Sequence, residues 1–104
     1  MPQERVDALK TILAQNPADA LARYGLAMEY VKAGDFELAV AEFGELTAFK
    51  PDHAYAYFHA GQTLEKLGRR EEARQTYRQG IEAASRKSDT HARDELQAAL
   101  DGLG

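Results

Sequence analysis

The sequence predicts an all-α fold, a right-handed stack of about six antiparallel helices built from repeats, and three observations carry that prediction. Identical residues recur at a step of 34: Pro17 and Pro51, Ala20 and Ala54, Ala22 and Ala56, Lys32 and Lys66, Gly34 and Gly68, Glu37 and Glu71, Ala39 and Ala73. Large rings keep the same step, Tyr24 to Phe58 and Phe43 to Tyr77. Most of the 3 prolines and 8 glycines fall between long stretches rich in Ala, Leu, Glu, Gln, Arg and Lys, so the breakers mark element ends. A fixed period of this length means copies of one supersecondary unit, each of which must stack on its neighbours to bury its apolar face.

Taken in chain order, the first element is a helix over about residues 4–15. Its Val6, Leu9, Ile12 and Ala14, with Pro17 behind them, sit one period before Val40, Phe43, Leu46, Ala48 and Pro51, so residues 4–17 repeat the second half of a unit. Pro17 and Pro51 stop the helices that precede them, and Asp19 and Asp52 are the expected caps of the helices that follow. Gly34 and Gly68 fall in mid-unit, where a left-handed residue closes one helix so that Asp35 or Arg69 can begin the turn into the next. Each unit is thus a helix pair, 18–33 with 36–49 inside residues 18–51, then 52–67 with 70–85 inside residues 52–85. Beyond Ser85 the period is lost. Ala92, Leu96, Ala99, Leu100 and Leu103 resume a helical stripe, with Ser88 as the expected N-cap, giving a capping helix over 88–102. The whole chain, 1–104, reads as a single domain.

The pattern resembles the tetratricopeptide repeat, whose period is 34 and whose signature runs W-x2-L-G-x2-Y, A-x3-F, P. Leu26-Ala27, Tyr30, Ala39, Phe43 and Pro51 match in the first unit, with Arg23 where the tryptophan belongs. Tyr57, Ala60-Gly61, Leu64, Ala73 and Tyr77 match in the second, with Ser85 where the proline belongs. The resemblance covers about residues 4–85 and implies an α-solenoid of about two and a half tetratricopeptide repeats plus the C-terminal capping helix. Small residues at Ala27, Ala39, Gly61 and Ala73 suit it, because helix axes approach within about 8–10 Å only where one side lacks bulk.

Composition removes several function classes. Without cysteine there are no disulfides, thiolate metal sites or cysteine nucleophiles. A net charge of -4, spread over 17 acidic and 13 basic side chains, gives no basic patch for phosphate binding, so nucleic acid is not an expected partner. No apolar run approaches the ~20 residues needed to span a bilayer, and Met1-Pro2-Gln3-Glu4-Arg5 lacks the layout of a secretory signal. A cytoplasmic location with no membrane contact is therefore expected. His53, His59 and His91 fit no metal-ligand spacing, the carboxylates read as a solvated face, and phosphate loops and nucleophile elbows are missing. Neither catalysis nor a cofactor or metal is expected.

The informative feature is the first helix of each unit. Between Ala20 and Val31 only Arg23 and Glu29 are charged, so this helix needs cover on more than one side. Leu21, Tyr24, Met28 and Val31 form a second stripe beside the core stripe, and their counterparts one period on are Tyr55, Phe58, Gln62 and Glu65. In the family these positions line the concave groove that holds a peptide, which makes the eight residues the candidate partner-binding groove of a protein–protein interaction scaffold. One branch of the family grips acidic chaperone tails through a clamp of Lys, Asn and Arg. Here Tyr24, Met28 and His59 occupy three clamp positions, so that activity is not implied. Two alternatives stay open: the C-terminal helix folds over the stripe and completes the core, or the chain is a structural module that mediates homo-oligomerisation or acts as a fragment of a larger tetratricopeptide assembly factor.

Overall fold

A computed structural model describes residues 2–104, without the side chain of Pro2, and contains six α-helices and no strand among them. They are α1 (Pro2–Gln15), α2 (Ala20–Ala33), α3 (Phe36–Phe49), α4 (Ala54–Lys66), α5 (Arg70–Arg86) and α6 (Thr90–Gly102). Each packs on the helix next to it in sequence, and α6 also lies along α4, so the helical pairs stack as a short solenoid. No helix of the described residues is long and apolar enough to cross a membrane.

One local device ends α2, α4 and α5. Gly34 takes φ 81°, donates to the Val31 carbonyl, and leaves Asp35 to donate to the Tyr30 carbonyl at 2.9 Å. Gly68 and Arg69 repeat this on Glu65 and Leu64, with φ 77° at the glycine. The third copy uses Ser88, at φ 54°, and Asp89, whose N–H groups donate to Ser85 and Ala84. Glycine suits the first two positions because its missing Cβ removes the left-handed penalty; Ser88 bears it.

Helix starts correct two expectations. Asp19 Oδ1 accepts from the Ala22 N–H at 3.0 Å as expected, but α4 is capped by His53, whose Nδ1 accepts from the Ala56 N–H at 3.2 Å. Asp52 instead pairs with Arg86 at 2.7 Å. Position 53 is one period after Asp19, so the cap keeps the register and changes its chemistry. At α6 the cap is Asp89, accepting from the Ala92 N–H at 3.0 Å, because Ser88 already serves as the left-handed terminator of α5. Asp35 and Arg69 make no side-chain cap. Arg69 reaches across the repeats instead, to Glu37 of α3 at 2.6 Å and to Glu72 at 2.7 Å.

Two buried clusters form the core. Val6, Leu13, Leu26, Ala27, Tyr30, Phe43 and Leu46 join α1, α2 and α3, with Ala56 and Ala60 reaching in from α4. Leu64, Ala73, Tyr77, Ala84, Ala92, Leu96 and Leu103 join α4, α5 and α6. Phe43 and Tyr77, one period apart, are both 0% exposed. Gly61 shows why the signature wants a small residue there: a Cβ would sit 2.3 Å from Tyr77 Cε1, inside the ring's own volume. Arg23, in place of the tryptophan, donates to Glu42 of α3 at 2.7 Å and to the Pro17 carbonyl at 3.0 Å. Its counterpart Tyr57 donates to the Pro51 carbonyl at 3.0 Å, so both residues tie a first helix to the turn before it.

Candidate functional site

The first helices of the repeats, α2 and α4, share a face on which the eight groove candidates divide into two groups. Tyr24, Met28, Val31, Tyr55 and Phe58 are half-buried, with their inner surfaces against the two core clusters. Leu21, Gln62 and Glu65 are exposed, and Leu21 at 81% is the most open of the large apolar side chains. An 81% exposed leucine at the start of α2 gains nothing from the fold, because apolar area contributes only when it leaves water.

The structure joins these residues through two imidazoles. The Tyr24 ring stacks on His53 with centroids 5.3 Å apart and meets the edge of His59 at 5.8 Å and of Phe43 at 6.3 Å. His59 stacks in turn on Phe43 at 6.3 Å and meets Phe58 at 5.4 Å. Phe58 contacts Tyr55 at 6.3 Å and Tyr77 at 6.5 Å. The aromatic groups therefore form one continuous band across the joint between the two repeats. Offset and edge contacts of this kind are each worth about 0.5–1.5 kcal/mol beyond the area they bury, so the band stiffens the joint.

Burial dominates the band's electrostatics. It pushes the His53 and His59 pKa values below the ordinary histidine range. The neutral form of His53 is also the one its cap requires, since Nδ1 can accept from Ala56 only when it carries no proton. Burial, with Tyr55 nearby, raises Tyr24. Tyr77, deeply packed, is raised by burial and by the Glu65 carboxylate that its hydroxyl donates to.

The C-terminal helix extends this face as its far wall. Leu96 is 1% exposed and Leu103 3% exposed against α5 and α4, so α6 completes the core at the end of the stack, while Leu21 of α2 and Gln62 and Glu65 of α4 stay uncovered. It also contributes Glu95, whose charge acts on Tyr55 and His59 and which lies 3.1 Å from His91. His53, His59 and Glu95 are thus parts of the face that the sequence reading left out. A signal for Glu95 exists at an offset of 36 rather than 34: Ala56, Ala60 and Leu64 lead to Ala92, Leu96 and Leu100. Among the described residues no group of three or more His, Cys, Asp or Glu is arranged to hold a metal ion.

Comparison with known proteins agrees with this architecture. The model of the tetratricopeptide repeat matches residues 24–88, more than half of the chain. A TPR repeat-containing protein of Pseudomonas aeruginosa is 28% identical over 95 residues, which span 91% of this chain and 90% of that protein. The solution structure of a tetratricopeptide repeat domain protein from Salinibacter ruber is 38% identical with a TM-score of 0.78, over 85% of this chain and 89% of the other. The solution structure of protein BPP2914 from Bordetella parapertussis is 31% identical with a TM-score of 0.80, over 94% and 85% of the two chains. With the 34-residue period, the paired helices and the small-against-aromatic contact of Gly61 with Tyr77, these matches place the chain in the tetratricopeptide repeat family, whose members are generally non-enzymatic modules for protein–protein interaction.

Proposed function

We propose that this chain holds a segment of another protein against the face formed by α2, α4 and α6, with Leu21, Tyr24, Met28, Val31, Tyr55, Phe58, Gln62 and Glu65 as the contact residues. One observation carries the proposal: a half-buried aromatic band stands beside the 81% exposed Leu21, and among the described residues no helix closes over Leu21. Large, pre-packed rings make good anchors because they offer contact area at little entropic cost, and Met28 repacks readily around different partners. The work is mechanical, the holding of one polypeptide by another, and requires no cofactor.

The test is retention of a binding protein from an extract of the native host on the immobilised chain, compared with a Leu21→Asp, Phe58→Ala double variant. Leu21 buries almost nothing, so the first change leaves the fold intact. The proposal expects a protein retained by the original chain and weakened about tenfold or more by the double variant. Equal retention by both would contradict it. Concentration-dependent sedimentation abolished by the same two changes would identify a second copy of this chain as the occupant.

A further inference from the structure

We propose that the joint between the two repeats is an acid-sensitive switch: one proton each on His53 and His59 releases the start of α4 from its cap and parts the ring contacts that hold α4 against α2 and α3. The switch regulates the face described above and takes its function from the groove reading, but its mechanism lies within the chain.

The first support is the proton state that the geometry demands. His53 stands at the start of α4, where its Nδ1 accepts from the Ala56 N–H at 3.2 Å. An accepting nitrogen carries no proton, so the hydrogen of the neutral ring is on Nε2, and a second proton has only Nδ1 to go to. There it sets a donor against a donor, and the cap is lost. The same imidazole stacks on Tyr24 of α2 with centroids 5.3 Å apart, so the group that caps α4 is also a contact between the repeats. The matching caps of α2 and α6, Asp19 and Asp89, are carboxylates, which confines the device to this joint.

The second support is that two imidazoles share one ring. While Tyr24 stacks on His53 it also meets the edge of His59 at 5.8 Å, and His59 lies against Phe43 of α3 at 6.3 Å. Two protons would therefore put two like charges around a half-buried tyrosine. A ring face attracts a cation, but it does not replace the lost cap.

The surroundings do little to neutralise these charges. Beside His53 lie Lys50 and Asp52 of the α3–α4 turn, Lys87 and Asp89 of the α5–α6 turn, and Tyr55. Both carboxylates are engaged, Asp52 with Arg86 at 2.7 Å and Asp89 with the Ala92 N–H at 3.0 Å, and the two lysines oppose a third positive charge. Around His59 are Tyr24, Phe43 and Phe58, with Gln62 on its own helix and Glu95 on α6. Burial keeps the proton off His59 more strongly than Gln62 and Glu95 draw it on. A proton that binds better in water than in the joint shifts the population toward the parted joint.

Nitrogen NMR of the full chain between pH 8 and pH 5, with no partner present, tests this. At pH 8 His53 should show the Nε2–H form, and both histidines should titrate below the ordinary value of about 6.5. On acidification, amide shifts should spread over Tyr24, Phe43, Ala56 and Phe58 while α6 stays still. Exchange of the Ala56 amide, corrected for its intrinsic rate, should quicken about fivefold or more. His53→Asn, which keeps an acceptor at the cap, should abolish that quickening. Titration at the ordinary value, shifts confined to the two histidines and their chain neighbours, or equal movement of α6 would overturn the switch and leave the groove reading intact. Failure of the groove reading would instead appear at pH 8, as equal retention by the original chain and the Leu21→Asp, Phe58→Ala variant.

Discussion

The two joints of this short solenoid are built from different materials. Between the first and second repeats the contact is aromatic and partly titratable, with Tyr24, His53, His59 and Phe43 ring against ring. Between the second repeat and α6 the contact is built on leucines and closely fitted. Gly80 lets Leu96 and Tyr57 so near that a Cβ there would lie 2.7 and 2.8 Å from them. Arg70 donates to the Leu103 carbonyl and Arg74 to the Gly104 carbonyl at 3.2 Å, which ties the end of α6 back to α5. The difference shows where a repeat protein can place a working surface. A terminal joint has only to close the core, and hydrocarbon does that most simply; an internal joint can carry polar rings, because helices on both sides hold them.

The largest expected effect sharpens that contrast at the terminal joint. Ending the chain after Arg86 removes the leucines at 96 and 103, each contributing about 1.5–3 kcal/mol of burial, from a domain whose whole stability is on the order of 5–15 kcal/mol. The shortened chain should melt much lower or dimerise through the uncovered α5 face, and calorimetry with sedimentation reads both. A monomer of unchanged melting temperature would mean that α6 closes nothing.

Single substitutions come next. Tyr77→Ala and Phe43→Ala should each cost about 3–5 kcal/mol, and Leu96→Ala about 2–5 kcal/mol, in denaturant unfolding, since all three side chains are fully packed. A small loss at Tyr77 with a large one at Leu96 would break the comparison by showing that the terminal joint, and not the repeat signature, carries the stability.

The third expectation separates the joints by pH. Burial holds His53 and His59 below the ordinary histidine pKa, so the unfolded chain binds protons more readily than the folded one. Their contribution is therefore complete above about pH 6.5 and is lost as the pH falls from there toward the folded pKa values. For His53 the loss includes the cap on Ala56, a contact worth on the order of 1 kcal/mol. Melting at pH 5 and pH 8 should differ, and His53→Asn, which caps without titrating, should shrink the difference. An unchanged pH dependence in that variant would remove His53 from the explanation.

The smallest effect concerns Ser88, the left-handed residue that stands where the other two helix ends use glycine. Ser88→Gly should stabilise by roughly 0.5–1 kcal/mol, the left-handed penalty less the entropy a glycine adds to the unfolded chain. Destabilisation would show that the serine side chain holds a contact worth more than its strain.

The repeat itself was legible in the sequence because period, small residues and rings all register at 34, and each has one physical cause, the stacking of identical helix pairs. Two features were hidden by chemical substitution at conserved geometry. Position 53 does the work of Asp19 with an imidazole, so a search for acidic caps stops at Asp52. Ser88 does the work of Gly34 and Gly68, so the end of α5 reads as the start of α6. The tail was hidden by length: α5 has 17 residues against 14 in α3, which moves α6 to an offset of 36 and breaks the register that would have placed Glu95 on the face. The imidazole bridges were beyond the sequence, because ring contacts between helices depend on crossing geometry that no spacing encodes.

The central claim, that the face of α2, α4 and α6 is where this chain holds another polypeptide, is tested most directly by amide NMR of the labelled chain titrated with the protein it retains from an extract of the native host. Shifts concentrated on residues 21–31, 55–65 and 91–98, with α3 and the outer side of α5 still, are the expected result. Shifts concentrated on α3 and α5 would place the binding surface on the opposite side of the solenoid and contradict the claim.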